Sequence, residues 1–296
     1  MNEQLESGMR LPNFLIIGAA KSGTTTLYEY LNRHPQIHLS SIKEPQFFAV
    51  DSQYERGIEW YSSLFNGASP NQICGEASTD YTKLPLYPKT AERIAHHLPN
   101  VKMIYIMRHP VERVYSHYQH LQRGHKIELT FKDYIQQNSV CIDTSYYIKQ
   151  INYYLDIFPK ESFLFLLMED LINHPESTLR NICKFLEIDE HASLISGEQV
   201  TANNSKTHFK DTIRQRITSP IRALPFVETL KDTLPQQWRD FAYNLLQNSF
   251  YGNQIKQQYL VSKMNDETRK WLLDKFQLSN QELSEFLNRD LSTWSL

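Results

Sequence analysis

Residues Phe14 to Thr26 read FLIIGAAKSGTTT, and no other stretch constrains the fold as tightly. Phe14 to Gly18 is a short apolar run of the kind that forms a strand buried on both faces. A turn of small residues, Ala19-Ala20-Lys21-Ser22-Gly23, follows, and a helix is expected from the threonines to about Asn32. Strand, glycine-bearing turn and helix start together make an anion site. Free backbone N–H groups point at the ligand, the helix dipole favours negative charge, and Lys21 and the hydroxyls add donors. Gly18 and Gly23 have the glycine spacing of G-x-x-x-x-G-K-[ST], but Thr24 stands where the lysine belongs and the lysine sits earlier, at Lys21. A cradle of this kind can hold a terminal phosphate. It lacks the Lys-Ser/Thr pair that positions a transferable γ-phosphate and its Mg²⁺.

The rest of the chain has to supply a sheet for that strand, and 41% hydrophobic residues in 296 are ample for a packed core. A formal net charge of −2 gives no global signature for nucleic acid or an anionic membrane, so anion binding must come from local placement of charge. No run approaches the roughly 20 apolar residues of a membrane-spanning helix. The polar start, MNEQLESGMRLPN, lacks the apolar core of a signal peptide. Cys74, Cys141 and Cys183 are odd in number and lack metal-type spacing, which points to free buried thiols in a reducing compartment. These features predict a cytoplasmic chain with no membrane partner and no nucleic-acid partner.

A second strong strand is expected over Val101–Met107, ending in Arg108-His109-Pro110, with a helix from Val111 to Gln122 that carries Arg113, Ser116, His117 and His120. Ligands of open parallel sheets bind beyond the carboxyl ends of the strands, so Arg108 should fall at the same edge as the Lys21 loop. Ile73 to Ser78 suggests a short strand, and Ser162 to Met168 another that ends in Glu169-Asp170. Helices are expected over residues 53–66, Thr90–His97 and Thr144–Phe158, from Pro175, and from Asp266 to Leu287. Lys43-Glu44 precedes Pro45, Gln46, Phe47 and Phe48, which reads as a loop held by an aromatic anchor. Successive strand–helix units predict an α/β fold: a single domain over 10–296 with a central parallel sheet flanked by helices. Its core is expected at about 12–190, a variable lid or acceptor wall at about 190–260, and C-terminal helices at about 265–290.

Several of these segments together resemble one family, the sulfotransferases that use 3′-phosphoadenosine 5′-phosphosulfate (PAPS). Lys21-Ser22-Gly23-Thr24-Thr25 is similar to the family's 5′-phosphosulfate loop. Ile106 to Tyr118, IMRHPVERVYSHY, resembles its 3′-phosphate motif, in which an arginine at the strand end and a serine eight residues on grip the 3′-phosphate; Arg108 and Ser116 have that spacing. Lys43-Glu44-Pro45-Gln46-Phe47-Phe48 resembles the K-E-P-x-F-F segment of the heparan-sulfate-type branch, whose glutamate is the proposed general base. Phe158 to Leu171 and Asn280 to Trp294 are similar to later parts of the family pattern, so the resemblance extends over most of the chain.

Departures accompany it. The heparan-sulfate enzymes carry a lysine where this chain has Ala77, and they have a disulfide and a membrane anchor that are not apparent here. Ser205-Lys206-Thr207 resembles their late 3′-phosphate segment without its following glycine.

The resemblance implies a P-loop-like 5′-phosphosulfate site in which Lys21, Ser22, Gly23, Thr24, Thr25 and Thr26 hold the 5′-phosphate. Arg108, Ser116 and Lys206 would hold the 3′-phosphate, and Glu44, with Lys43 and Lys21, would act in transfer. Sulfuryl transfer demands in-line geometry and charge neutralisation, which lysine and backbone donors meet, so no metal is expected. The acceptor implied is the hydroxyl of a small molecule, and the oligomeric state is open. Rival readings are a carbohydrate sulfotransferase, a P-loop kinase-like protein, or a nucleotide-binding module without catalysis. His109, His117 and His120 are rival bases.

Overall fold

A computed structural model describes residues 9–123, 129–191 and 264–296. Its centre is a sheet of five parallel strands in the order β2-β3-β1-β4-β5: β1 Phe14–Gly18, β2 Ile37–Leu39, β3 Ile73–Ala77, β4 Lys102–Met107 and β5 Phe163–Leu167. The all-parallel arrangement agrees with the apolar runs anticipated for β1 and β4, which are buried along almost their whole length. Three-residue β2 carries too short a pattern to be recognised in the sequence. It forms because His34 and Pro35 end the preceding segment and Ile37 falls into register with Ile73.

Alternation along the strands sends side chains to two faces. Phe14, Ile16, Ile104, Ile106 and Leu166 meet helices α1 (Thr24–Leu31) and α10 (Pro175–Leu186) through Leu27, Leu31, Leu179 and Ile182. Leu15, Ile17, Met103, Tyr105 and Met107 face the other way, toward Phe47, Phe48, Tyr61, Ile94, Ile151 and Tyr154. These last residues come from the loop after β2, from α3 (Ile58–Ser63), from α4 (Thr90–His97) and from α8 (Tyr147–Leu155). The C-terminal helix Asp266–Leu287 adds Leu283, and Leu291 and Trp294 follow it.

The helix expected over 53–66 is instead two short ones, α2 (Asp51–Tyr54) and α3. Gly57, at φ 84°, turns the chain between them, and a left-handed residue cannot continue an α-helix. Helix α5 (Pro110–Arg123) follows β4 at once, and α9 (Met168–Asn173) follows β5. Helices α6 (Phe131–Gln137) and α7 (Val140–Asp143) precede α8.

The chain divides into two compact units. The first comprises 1–117, 132–200 and 264–296 and contains the sheet. The second comprises 118–131 and 201–263; among its described residues, Tyr118 is buried, packs on Phe131 at 5.1 Å and donates its hydroxyl to the Leu129 carbonyl at 3.0 Å. The region anticipated at about 190–260 lies almost entirely outside the described residues, and Lys206 with it.

Candidate active site

Strand β1 ends at Gly18, and the loop after it is tied to β4 by a hydrogen bond from the Ala19 N–H to the Ile106 carbonyl at 2.7 Å. Lys21 takes a left-handed backbone, φ 68°, and is half-buried. Helix α1 begins one residue after Gly23, and its first ladder bond runs from the Leu27 N–H to the Gly23 carbonyl at 3.0 Å. The N–H groups of Thr24, Thr25 and Thr26 therefore lie outside the ladder, and no acidic residue occupies that first turn. Ser22 is fully buried with its hydroxyl near Tyr147 but in no well-formed hydrogen bond. Unused amides and an under-satisfied hydroxyl suit an anion with several acceptor oxygens.

Two arginines from the β4–α5 segment hold this loop by successive carbonyls. Arg108 donates to the Lys21 carbonyl at 3.3 Å, and Arg113 donates to the Ala20 carbonyl at 3.4 Å. Arg113 is 1% exposed and also donates to Ser145 Oγ at 2.7 Å, to Thr144 Oγ1 at 2.8 Å and to the Cys141 carbonyl. Arg108 is only half-buried; its own carbonyl accepts the Tyr147 hydroxyl at 2.7 Å. The chain connections out of β1 and β4 run to opposite sides of the sheet, so the two strand ends border its switch point. Ser116 is half-buried on α5, two helical turns beyond Arg108.

The Lys43–Phe48 segment meets the same edge from β3's side. Lys43 Nζ donates to Thr25 Oγ1 at 2.8 Å and stands 5.6 Å from the Tyr28 ring centroid. Glu44 donates its N–H to the Ala77 carbonyl at 3.1 Å, and its carboxylate accepts the Thr79 hydroxyl at 3.1 Å. The aromatic anchor anticipated in the sequence is present. Phe47 and Phe48 are fully buried, and Phe47 stacks on Tyr61 at 4.4 Å between ring centroids. Among the described residues, five non-glycine residues have a left-handed backbone. Glu187 and Asn288 are helix C-caps, where that conformation is ordinary. Lys21, Glu44 and Gln46 are the other three, so the remaining backbone strain falls on the two site segments.

Sequence reasoning missed Glu76. It lies in β3 at 0% exposure, and three hydroxyls donate to it: Tyr81 at 2.5 Å, Ser78 at 2.8 Å and Tyr61 at 3.2 Å. Burial pushes its carboxyl up to about 7; the three hydroxyls oppose that shift and the neighbouring Glu44 adds to it. Burial beside this carboxylate also holds the Tyr61 and Tyr81 phenols well above their ordinary value. The signal was available: a glutamate inside the short strand Ile73-Cys74-Gly75-Glu76-Ala77 is a buried charge in need of partners. Arg113 was likewise visible as a cation beside the apolar stripe of Val111 and Val114, but its partners lie some 30 or 90 residues away in the chain.

Among the histidines weighed as bases, His109 is buried with its ring 6.2 Å from that of Trp294, and burial lowers its basicity. The His117 ring lies 6.5 Å from Tyr134's, and His120 is exposed on α5.

Residues 11–224 match the sulfotransferase domain family. The human bifunctional heparan sulfate N-deacetylase/N-sulfotransferase 2 is 31% identical over 208 residues, which cover 60% of this chain and 22% of that protein. The mouse heparan sulfate glucosamine 3-O-sulfotransferase 5 is 32% identical over 198 residues, 62% of this chain and 56% of that one. The chain thus spans less than two thirds of either relative. The crystal structure of a sulfotransferase from Alicyclobacillus acidocaldarius superposes with a TM-score of 0.68 at 24% identity, covering 97% of this chain and 100% of that one, a likeness of fold.

Proposed function

The chain belongs to the sulfotransferase domain family, and from that premise we propose that it moves a sulfuryl group from PAPS to a hydroxyl of a small-molecule acceptor. The observation that carries this reading is the meeting of two phosphate motifs at one sheet edge, with the Arg108 guanidinium on the Lys21 carbonyl. PAPS supplies the sulfuryl group when bound, and leaves as 3′-phosphoadenosine 5′-phosphate (PAP). Lys21 with the Thr24, Thr25 and Thr26 donors holds the 5′-phosphate and meets the charge that grows on the leaving oxygen. Ser22 and Gly23 shape that loop. Arg108 and Ser116 hold the 3′-phosphate. Glu44 takes the proton of the acceptor hydroxyl, and Lys43, bonded to Thr25, carries positive charge between base and phosphate loop.

Ala77 is the reason for favouring a small acceptor over a polysaccharide. It is buried where the heparan-sulfate branch carries a lysine, so that point of contact with an anionic chain is missing. The three cysteines are buried free thiols, which fits action in a reducing cytoplasm.

Calorimetric titration with PAP beside AMP tests the donor site. PAP should bind at micromolar level and AMP far more weakly, and Arg108→Ala should weaken PAP about ten- to a hundredfold, a larger loss than it causes for AMP. Equal binding of the two nucleotides would refute the 3′-phosphate assignment. A panel of phenols, aliphatic alcohols and monosaccharides with PAPS then identifies the acceptor. With the best of them, Glu44→Gln should lower turnover by about 10²–10⁴-fold with PAP affinity intact.

A further inference from the structure

We propose that Glu76 is a positioning residue for Glu44, holding the 44–48 backbone in place through hydroxyls that its carboxylate orients. The inference rests on Glu44 acting as the base. Two of the three hydroxyls bound to Glu76 also accept from that backbone: Ser78 Oγ from the Gln46 N–H at 3.0 Å, and the Tyr81 hydroxyl from the Phe48 N–H at 3.4 Å. A hydroxyl has one proton, so each can accept from the loop while its proton is directed at an ionised Glu76. The third hydroxyl, from Tyr61, binds the carboxylate from the helix whose ring stacks on Phe47. Glu44 and Gln46, both left-handed, are the residues this arrangement restrains.

The groups facing Glu76 are Glu44 from the loop, Tyr28 from α1, Tyr61 from α3, Tyr81 after β3 and Tyr154 from α8, all acidic or neutral. When Glu76 takes up a proton, its protonated oxygen must donate, and the hydroxyl bound there has to turn. Since burial places that event near neutrality, the restraint on the loop weakens as the pH falls through about 7. Glutamine in its place keeps the shape but presents an amide N–H₂ to at least one hydroxyl that was donating.

The test follows PAP release from PAPS with the fastest acceptor of the panel above, from about pH 5.5 to about pH 9. Glu76→Gln should lower turnover about ten- to a hundredfold, as misplacement of a catalytic group does, with PAP affinity within about threefold of the parent. It should also lose the acid limb near pH 7. Ser78→Ala, which removes a hydroxyl that touches the loop, should lower turnover more than Tyr61→Phe, which removes one that does not, and this pair decides the matter if Glu76→Gln does not fold. Parental turnover in Glu76→Gln, a loss matched by lost PAP affinity, or equal effects of Ser78→Ala and Tyr61→Phe each overturn the proposal. Glu44→Gln is run beside them. If it retains full turnover the base assignment falls, whereas an inactive Glu44→Gln beside a fully active Glu76→Gln removes the positioning role alone.

Discussion

Arg113 is a buried cation whose described hydrogen-bond partners are all neutral: two carbonyls and two hydroxyls. Burying a charge among neutral dipoles is unfavourable unless every donor is used, and the planar guanidinium has donors in a fork that a lysine ammonium does not reproduce. Arg113→Lys brings three donors to four acceptors, so at least one of Ala20, Cys141, Ser145 and Thr144 should lose its charge-assisted bond, at about 1.5–3 kcal/mol. Because Ala20 belongs to the loop proposed to hold the 5′-phosphate, the same change should weaken PAP binding. Arg108 is half-exposed, so Arg108→Lys should weaken PAP with little change in unfolding. Thermal unfolding and PAP titration of the two variants separate the cases. A Tm for Arg113→Lys equal to the parent's would mean that the buried network contributes nothing.

At the scale of the element, β1 and β3 are fitted to each other by one glycine. Phe14 pairs with Gly75 across the ladder, and a Cβ on Gly75 would stand 2.1 Å from the Phe14 ring. The ring is fully buried and has no room to turn aside, so Gly75→Ala should destabilise by about 1–3 kcal/mol, read as a lower denaturant midpoint at unchanged slope. Phe14→Leu added to Gly75→Ala should recover part of that loss. The contact also explains what the sequence disclosed of the elements. β1, β4 and β5 were legible as apolar runs, and the helices Thr90–His97 and Asp266–Leu287 because each carries its own periodic pattern. β2 was not, since three residues carry no period and its pairing partner is distant. The break between α2 and α3 hung on Gly57, whose left-handed backbone is fixed by its surroundings. The site follows the same division. Lys21, Arg108 and Glu44 sit in contiguous motifs, while Glu76 and Arg113 are defined by partners from remote segments.

For the whole molecule, Glu76 is a liability that the fold retains. Its carboxyl lies near 7 in the folded chain against an ordinary 4.5, so between those values the folded state binds more protons than the unfolded one. Its contribution to stability should therefore fall as the pH rises from about 4.5 to about 7 and level off above, and the ionised carboxylate costs about 3 kcal/mol at neutral pH. His97 and His109, both held below their ordinary value by burial, act in the opposite sense. The unfolded chain protonates them first, so their contribution improves with rising pH across an overlapping window. Parent stability alone would mix the two trends. The difference between Glu76→Gln and the parent cancels the histidines, and it should shift in favour of the variant from pH 5 to pH 7 and stay flat beyond about pH 8. Denaturant unfolding at four pH values measures it, and a difference independent of pH would sink the assignment of a raised carboxyl to Glu76. If the variant is the more stable protein above neutrality and also the poorer enzyme, the buried charge belongs with the strained backbone at Lys21, Glu44 and Gln46. Each sets stability against the geometry of the proposed site, at the sheet edge where the Lys21 loop and the β4–α5 segment meet.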